Sequence, residues 1–235
     1  MRLGIISALA EEQQGLIEAM ESPSKLIHGM REYTAGNLWQ IDSVCVLSRI
    51  GKVAAAMTAT SLVEKFGVTH IIFTGVAGSA DFGVRVGDVV VAESLVQHDI
   101  DASPLFPRFE VPLTGLSHLP SDRDLSRKLG AAARDFLENE TENPQLHRGL
   151  IGSGDQFMND PVKLAALKDA LPDLLAVEME GAAVAQVCFE LGVPFAVIRT
   201  ISDNANEDAA TDFMHFVKTV ASRYAFGIIK NFCNA

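Results

Sequence analysis

Residues 174–185, LLAVEMEGAAVA, set two carboxylates and a thioether where a short apolar strand gives way to a helix of small residues. Residues 174–177 have the unbroken apolar run of a buried strand, and Gly181, Ala182, Ala183 and Ala185 suit a closely packed helix start. Ionised side chains at such a junction are costly unless something binds them. One acid there is an ordinary partner for the positive end of a helix dipole. Two acids flanking a methionine ask for more, because alternate residues leaving a strand point the same way. Glu178 and Glu180 are therefore expected to share one cavity, with Met179 between them. Paired acceptors suit a vicinal diol such as the 2′ and 3′ hydroxyls of a ribose. On spacing alone, both readings stand.

The same alternation of strand and helix runs along the chain. Residues 2–8 read as a strand and 11–20 as a helix, so Glu11 and Glu12 fall at the carboxyl edge of a sheet, where open α/β folds hold their ligands. By themselves, acids in a first helical turn are ordinary dipole partners. Residues 33–39 and 43–48 suit an antiparallel pair, 53–65 a helix and 70–74 a buried strand. The segment 75–80, GVAGSA, then reads as a glycine-rich turn that lets backbone approach a ligand; it lacks the lysine and third glycine of the nucleotide-binding fingerprints. Residues 89–97 form the next strand. The stretch 98–115 carries Pro104, Pro107 and Pro112 with little periodicity, and is expected to expose Leu105, Phe106 and Phe109 as a lid or an interface.

Residues 122–138 make an amphipathic helix and 147–153 a strand, and Asp160 with Pro161 opens another helix. In the loop before it, Phe157 and Met158 fit either a core plug or one wall for a flat ring. A helix over 182–191 stops at Gly192. The strand 194–200 then runs into a loop where Arg199, Ser202 and Asp203 fall together, Asp203 also being suited to capping a turn. A last helix spans 211–231. At 235 residues and 48% hydrophobic, the chain supports one sizeable core, so one domain over 1–235 is expected.

Other classes are excluded. A net charge of −11 gives nucleic acid or an anionic membrane no basic face to meet. The first apolar run is one strand long and is followed at once by acids, and no later run is long enough to span a bilayer, so a cytoplasmic location is expected. Cys45, Cys188 and Cys233 lie far apart in apolar surroundings, as reduced core thiols do. The six histidines form no metal-binding spacing, and neither a metal nor a cofactor is expected.

Several segments, in order, resemble one family. GIISALAEE at 4–12, SRIGKVAAA at 48–56, TGVAGSA at 74–80, GDQFM at 154–158, VEMEGAAVA at 177–185 and RTISDNAN at 199–206 are similar to the 5′-methylthioadenosine/S-adenosylhomocysteine nucleosidases of the nucleoside phosphorylase superfamily. The resemblance covers nearly the whole length. It implies a three-layer α/β/α fold around a mixed, partly closed sheet, and cleavage of the N-glycosidic bond of a small-molecule nucleoside to adenine and a thioribose. Carried onto matching positions, it implies that Glu12 activates water and Asp203 protonates the leaving adenine. Glu180 would hold the ribose hydroxyls, Met179 would pack on the sugar and Glu178 would support them. Phe157 would stack on adenine while the Met158 backbone reads its edge. Ile50, Ala77 and Gly78 would line the pocket, and Arg199 and Ser202 would flank the catalytic acids. A homodimer is implied, with the 98–115 loop at the interface and covering the partner's 5′ pocket.

Val76 departs from the resemblance, standing where better-known bacterial members have a serine. The missing hydroxyl weighs against the nearest rival, a phosphate-dependent phosphorylase of the same fold, which needs hydroxyl and arginine donors for phosphate. A non-catalytic nucleoside-binding protein would retain the pocket, but has no need of a paired acid and base.

Overall fold

The structure, a computed structural model, describes residues 1–206 and 208–235, apart from the side chains of Lys218 and Thr219. Its apolar runs pair into one mixed sheet of ten strands among the described residues. These are β1 (Arg2–Ser7), β2 (Glu21–His28), β3 (Arg31–Leu38), β4 (Ile41–Leu47), β5 (His70–Ser79), β6 (Val89–Gln97), β7 (Leu119–Pro120), β8 (Leu146–Ser153), β9 (Leu174–Glu178) and β10 (Phe195–Asp203). Around them lie α1 (Ala10–Ala19), α2 (Lys52–Glu64), α3 (Arg123–Leu137), α4 (Pro161–Ala170), α5 (Gly181–Leu191), α6 (Ala209–Phe216) and α7 (Ser222–Asn234), with a π-helical turn, Val217–Ala221, joining the last two.

β5 organises the sheet. It pairs in parallel with β10 along most of its length, with β1 through His70 to Phe73, and antiparallel with β9 at Gly78 and Ser79. Because β10 also pairs with β6, β6 with β8 and β8 with β9, strands β5, β10, β6, β8 and β9 close on themselves as a small barrel. β1, β4, β3 and β2 extend from it as an open wing. The ladders to β1 and to β9 leave residues 74–77 between them on one edge of β5, and the functional site opens there.

Helices cover both faces, as a sheet with apolar side chains on each side requires. Ala55, Ala59 and Leu62 of α2 pack with Ala182, Val184 and Cys188 of α5 on one face. On the other, Leu16 of α1, Leu129 and Ala133 of α3, and Tyr224 and Ile228 of α7 share a second cluster. This is the three-layer arrangement around a partly closed sheet. No helix of the described residues is long and apolar enough to cross a membrane.

Two expectations need correction, and one strand was not foreseen. The glycine-rich segment 75–80 is not a turn: its residues through Ser79 continue β5, and its glycines serve close side-chain approach instead. β2 was not foreseen, because ESPSKLIH is polar and pairs only with β3, at an edge where all but its last residue are exposed. In the 98–115 loop, Leu105 is 84% exposed and Phe106 half-buried, but Phe109 turns inward against Leu150, Val96 and Val177. Burying one aromatic gives an otherwise irregular loop its own small core.

Candidate active site

Glu12 enters the site because β1 hands directly to α1. Its Oε2 accepts from the backbone amides of Ala8 (2.9 Å) and Leu9 (3.0 Å), closing the exposed N-terminus of the helix. That fits the ordinary role of an acid at a helix start, but it occupies only one oxygen. Oε1 is buried and makes no hydrogen bond of good geometry, although the Val76 amide acts on the carboxyl. It points at Gly75 of β5, where a Cβ would sit 3.3 Å away. Burial pushes the carboxyl up from its ordinary 4.5 to about 7, against the lowering by the Leu9 amide, the Arg199 charge and the Ala8 and Val76 amides. Glu11, its neighbour, is exposed.

Asp203 ends β10, a strand buried throughout. Consecutive strand residues normally face opposite ways, yet Ser202 and Asp203 both line the site. A bulge explains this: β10 pairs Ile201 with Ala77 and Asp203 with Gly78, leaving Ser202 as the extra residue. Asp203 Oδ2 accepts from Ser202 Oγ (2.8 Å) and Oδ1 from the Ala205 amide (2.9 Å). Gly78 is required beside it, since a Cβ there would lie 2.8 Å from Oδ1. Burial raises the Asp203 carboxyl above its usual range despite these donors, with Asp212 adding to the rise.

The two glutamates of residues 174–185 reach the cavity in different states. Glu178 is internally bound: Oε2 accepts from Arg199 Nη2 (2.7 Å) and Nε (3.2 Å), both oxygens accept from the Gly181 amide, and Ser153 Oγ donates to Oε1. Glu180 has one donor, the Gly51 amide at 2.8 Å. Burial and the adjacent Glu178 charge hold its carboxyl well above the usual range. The pair therefore does not present two equivalent acceptors; Glu180 alone has acceptor capacity to spare, and Glu178 anchors the frame.

The expected site residues come together around one cavity of about 160 Å³. Glu12, Ile50, Ala77, Gly78, Phe157, Met158, Glu178, Met179, Glu180, Arg199, Ser202 and Asp203 all line it. Its wall is mostly apolar, as pockets for flat organic ligands are. Sequence reasoning missed Ala8, Leu9, Gln156, Val177 and Phe213, while Gly75 and Val76 lie in the 75–80 segment it had set beside the ligand. Ala8 and Leu9 were findable, since they join β1 to α1 at the sheet's carboxyl edge. Phe213 was not: it stands on α6, and only the fold brings its ring edge-on to Phe157 at 5.8 Å.

Known proteins share both sequence and fold. The Phosphorylase superfamily matches residues 2–233. The 5′-methylthioadenosine/S-adenosylhomocysteine nucleosidase of Shewanella halifaxensis is 37% identical over 229 residues, 97% of each chain. The Streptococcus pneumoniae nucleosidase of the same name, solved with the transition-state inhibitor MT-ImmA, superposes with a TM-score of 0.91 at 34% identity, covering 100% of this chain and 99% of that one. The futalosine hydrolase of Helicobacter pylori is also similar, with a TM-score of 0.90 and 32% identity over 100% of this chain and 97% of its own. Superfamily match, full-length identity and superposition agree: this chain belongs to the 5′-methylthioadenosine/S-adenosylhomocysteine nucleosidases of the phosphorylase superfamily.

Proposed function

We propose that this protein hydrolyses the N-glycosidic bond of 5′-methylthioadenosine and S-adenosylhomocysteine, releasing adenine and the corresponding thioribose, with Glu12 and Asp203 as its base and acid. The observation that carries the assignment of roles is the pairing, on one cavity, of a buried carboxylate oxygen that makes no hydrogen bond of good geometry and a second carboxyl whose proton affinity is raised. Cleavage builds positive charge on the sugar and negative charge on the base. Asp203 gives a proton to N7 of the purine as the C1′–N9 bond breaks. Water adds at C1′ and passes a proton to Glu12 Oε1. Glu180 accepts from the ribose hydroxyls, Met179 packs on the sugar, and Phe157 stacks on adenine beside the Met158 backbone. Ile50, Ala77 and Gly78 shape the walls.

Hydrolysis is favoured over phosphorolysis by the state of Arg199. Among the described residues it is the single Lys or Arg lining the cavity, and Glu178 and the carbonyls of Phe73 and Ile198 occupy its nitrogens. Phosphate would need cationic donors that this site has committed elsewhere. Adenine release from both nucleosides, measured with and without inorganic phosphate, tests the reading. Phosphate-independent release is expected; strict dependence with formation of a sugar 1-phosphate would overturn it. A futalosine-type nucleoside belongs in the same panel, given the similarity to the Helicobacter pylori hydrolase.

We further infer one catalytic unit over residues 1–235, working as a cytoplasmic homodimer. The buried free thiols of Cys45 and Cys188 suit a reducing compartment. Leu105 and Leu113 stand 84% and 90% exposed in the 98–115 loop, apolar surface that a second copy would cover while the loop closes the partner's 5′ pocket. Analytical ultracentrifugation tests this; a monomer at assay concentration would overturn it.

A further inference from the structure

The first turn of α2 carries no cap of its own. Its N-cap is Gly51, with a φ of 96° and no side chain to offer its amides. Both leading amides are nonetheless taken, each by a carboxylate from far along the chain. Gly51 donates to Glu180 at 2.8 Å, and Lys52 donates to Asp155 Oδ1 at 2.8 Å. A third acid locks the arrangement: Asp99 accepts from Lys52 Nζ at 2.6 Å and from the Asp155 amide at 2.9 Å. Lys52, Asp99 and Asp155 thus form a clasp between the loop after β4, the start of the 98–115 loop and the segment that continues to Phe157 and Met158.

From this we infer that Asp155 is a positioning residue: by capping α2 from across the site it fixes the Gly51 amide on Glu180 and sets the Phe157–Met158 wall relative to it. The inference deepens the functional reading above and rests on it for the identity of the substrate. The Gly51 and Lys52 amides are separated only by the φ and ψ of Gly51, so holding the Lys52 amide on Asp155 restricts where the Gly51 amide can point. Gly51 also leaves room for the contact, since a Cβ on it would lie 3.1 Å from Asp155 Oδ1. Asp155 does not line the cavity, so its effect reaches the nucleoside only through Glu180 and the 156–158 segment.

The test compares Asp155→Ala with Asp155→Asn, which keeps an acceptor oxygen for the Lys52 amide. Steady-state hydrolysis of 5′-methylthioadenosine is expected to show KM raised about threefold to tenfold in the alanine variant, the span of one hydrogen bond, with kcat changed less and KM restored by asparagine. A merely structural role predicts a lower melting temperature with KM unmoved, and that result would overturn the inference. Amide hydrogen exchange over residues 51–57 reads the clasp without turnover: faster exchange in the alanine variant supports it, and unchanged protection overturns it. A wild-type enzyme that releases no adenine would overturn the functional reading instead, and the exchange comparison would still decide the clasp.

Discussion

Arg199 Nη2 lies 2.7 Å from Glu178 Oε2, with both side chains almost wholly buried. The guanidinium also rests on the Phe73 ring, 4.0 Å from its centroid. A charged residue in the middle of a buried strand is tolerated only because that partner meets it. Replacing Arg199 with Met leaves Glu178 buried without its cation, held only by Ser153 and backbone amides. The expected loss is about 3–5 kcal/mol, the cost of breaking such a pair by removing one partner. Urea unfolding of both proteins at pH 8 is the measurement; a loss under about 1 kcal/mol would show the pair to be dispensable.

Asp203→Asn keeps the shape of the side chain and its place beside Ser202 and the Ala205 amide, but leaves no proton for the purine. Turnover of 5′-methylthioadenosine is expected to fall at least about a hundredfold, the lower range for losing an acid catalyst. Calorimetric titration with adenine should give nearly unchanged affinity. Near-normal turnover would remove Asp203 from the mechanism.

Gly78→Ala tests the same acid from the opposite strand. An added methyl would lie 2.8 Å from Asp203 Oδ1 and 3.1 Å from the Ala205 Cβ, so the carboxyl must move. The backbone at this position has no positive φ, and the substitution should fold. A tenfold or greater drop in kcat, at roughly the cost of misplacing a reacting group, is expected with little change in melting temperature. Full activity would mean that Asp203 can work from a displaced position.

The sequence was most legible where strand, junction and helix follow one another. Residues 174–185 and 199–203 were placed at the sheet edge by period and composition, and the cavity lies there. Legibility failed where one residue does two things. Glu12 looked like a dipole partner and is one, yet its second oxygen faces the cavity, a division that only three-dimensional packing reveals. The glycines at 75 and 78 signalled a turn because local sequence cannot distinguish a bend from a strand that must admit Glu12 and Asp203. The difference between Glu178 and Glu180 depends on Arg199 and Gly51, neither of which is near them in sequence.

Glu12 ties activity to stability through one proton. Its carboxyl titrates at about 7 in the folded protein against an ordinary 4.5. As a base it must be ionised, so kcat/KM is expected to climb with pH up to about 7. Folding has the opposite dependence. Between 4.5 and 7 the folded chain holds a proton that the unfolded chain has released, so stability falls as pH rises across that window. At about 1.4 kcal/mol per pH unit, ionised Glu12 costs on the order of 3 kcal/mol once the pH is above 7. Glu12→Gln keeps an oxygen for the Ala8 and Leu9 amides and carries no charge. It is expected to lose turnover by at least about a hundredfold, while gaining stability over the wild type at pH 8 and matching it at pH 4. Urea unfolding at the two pH values decides it. A stability difference that does not change with pH would place the Glu12 titration elsewhere and remove it as the base.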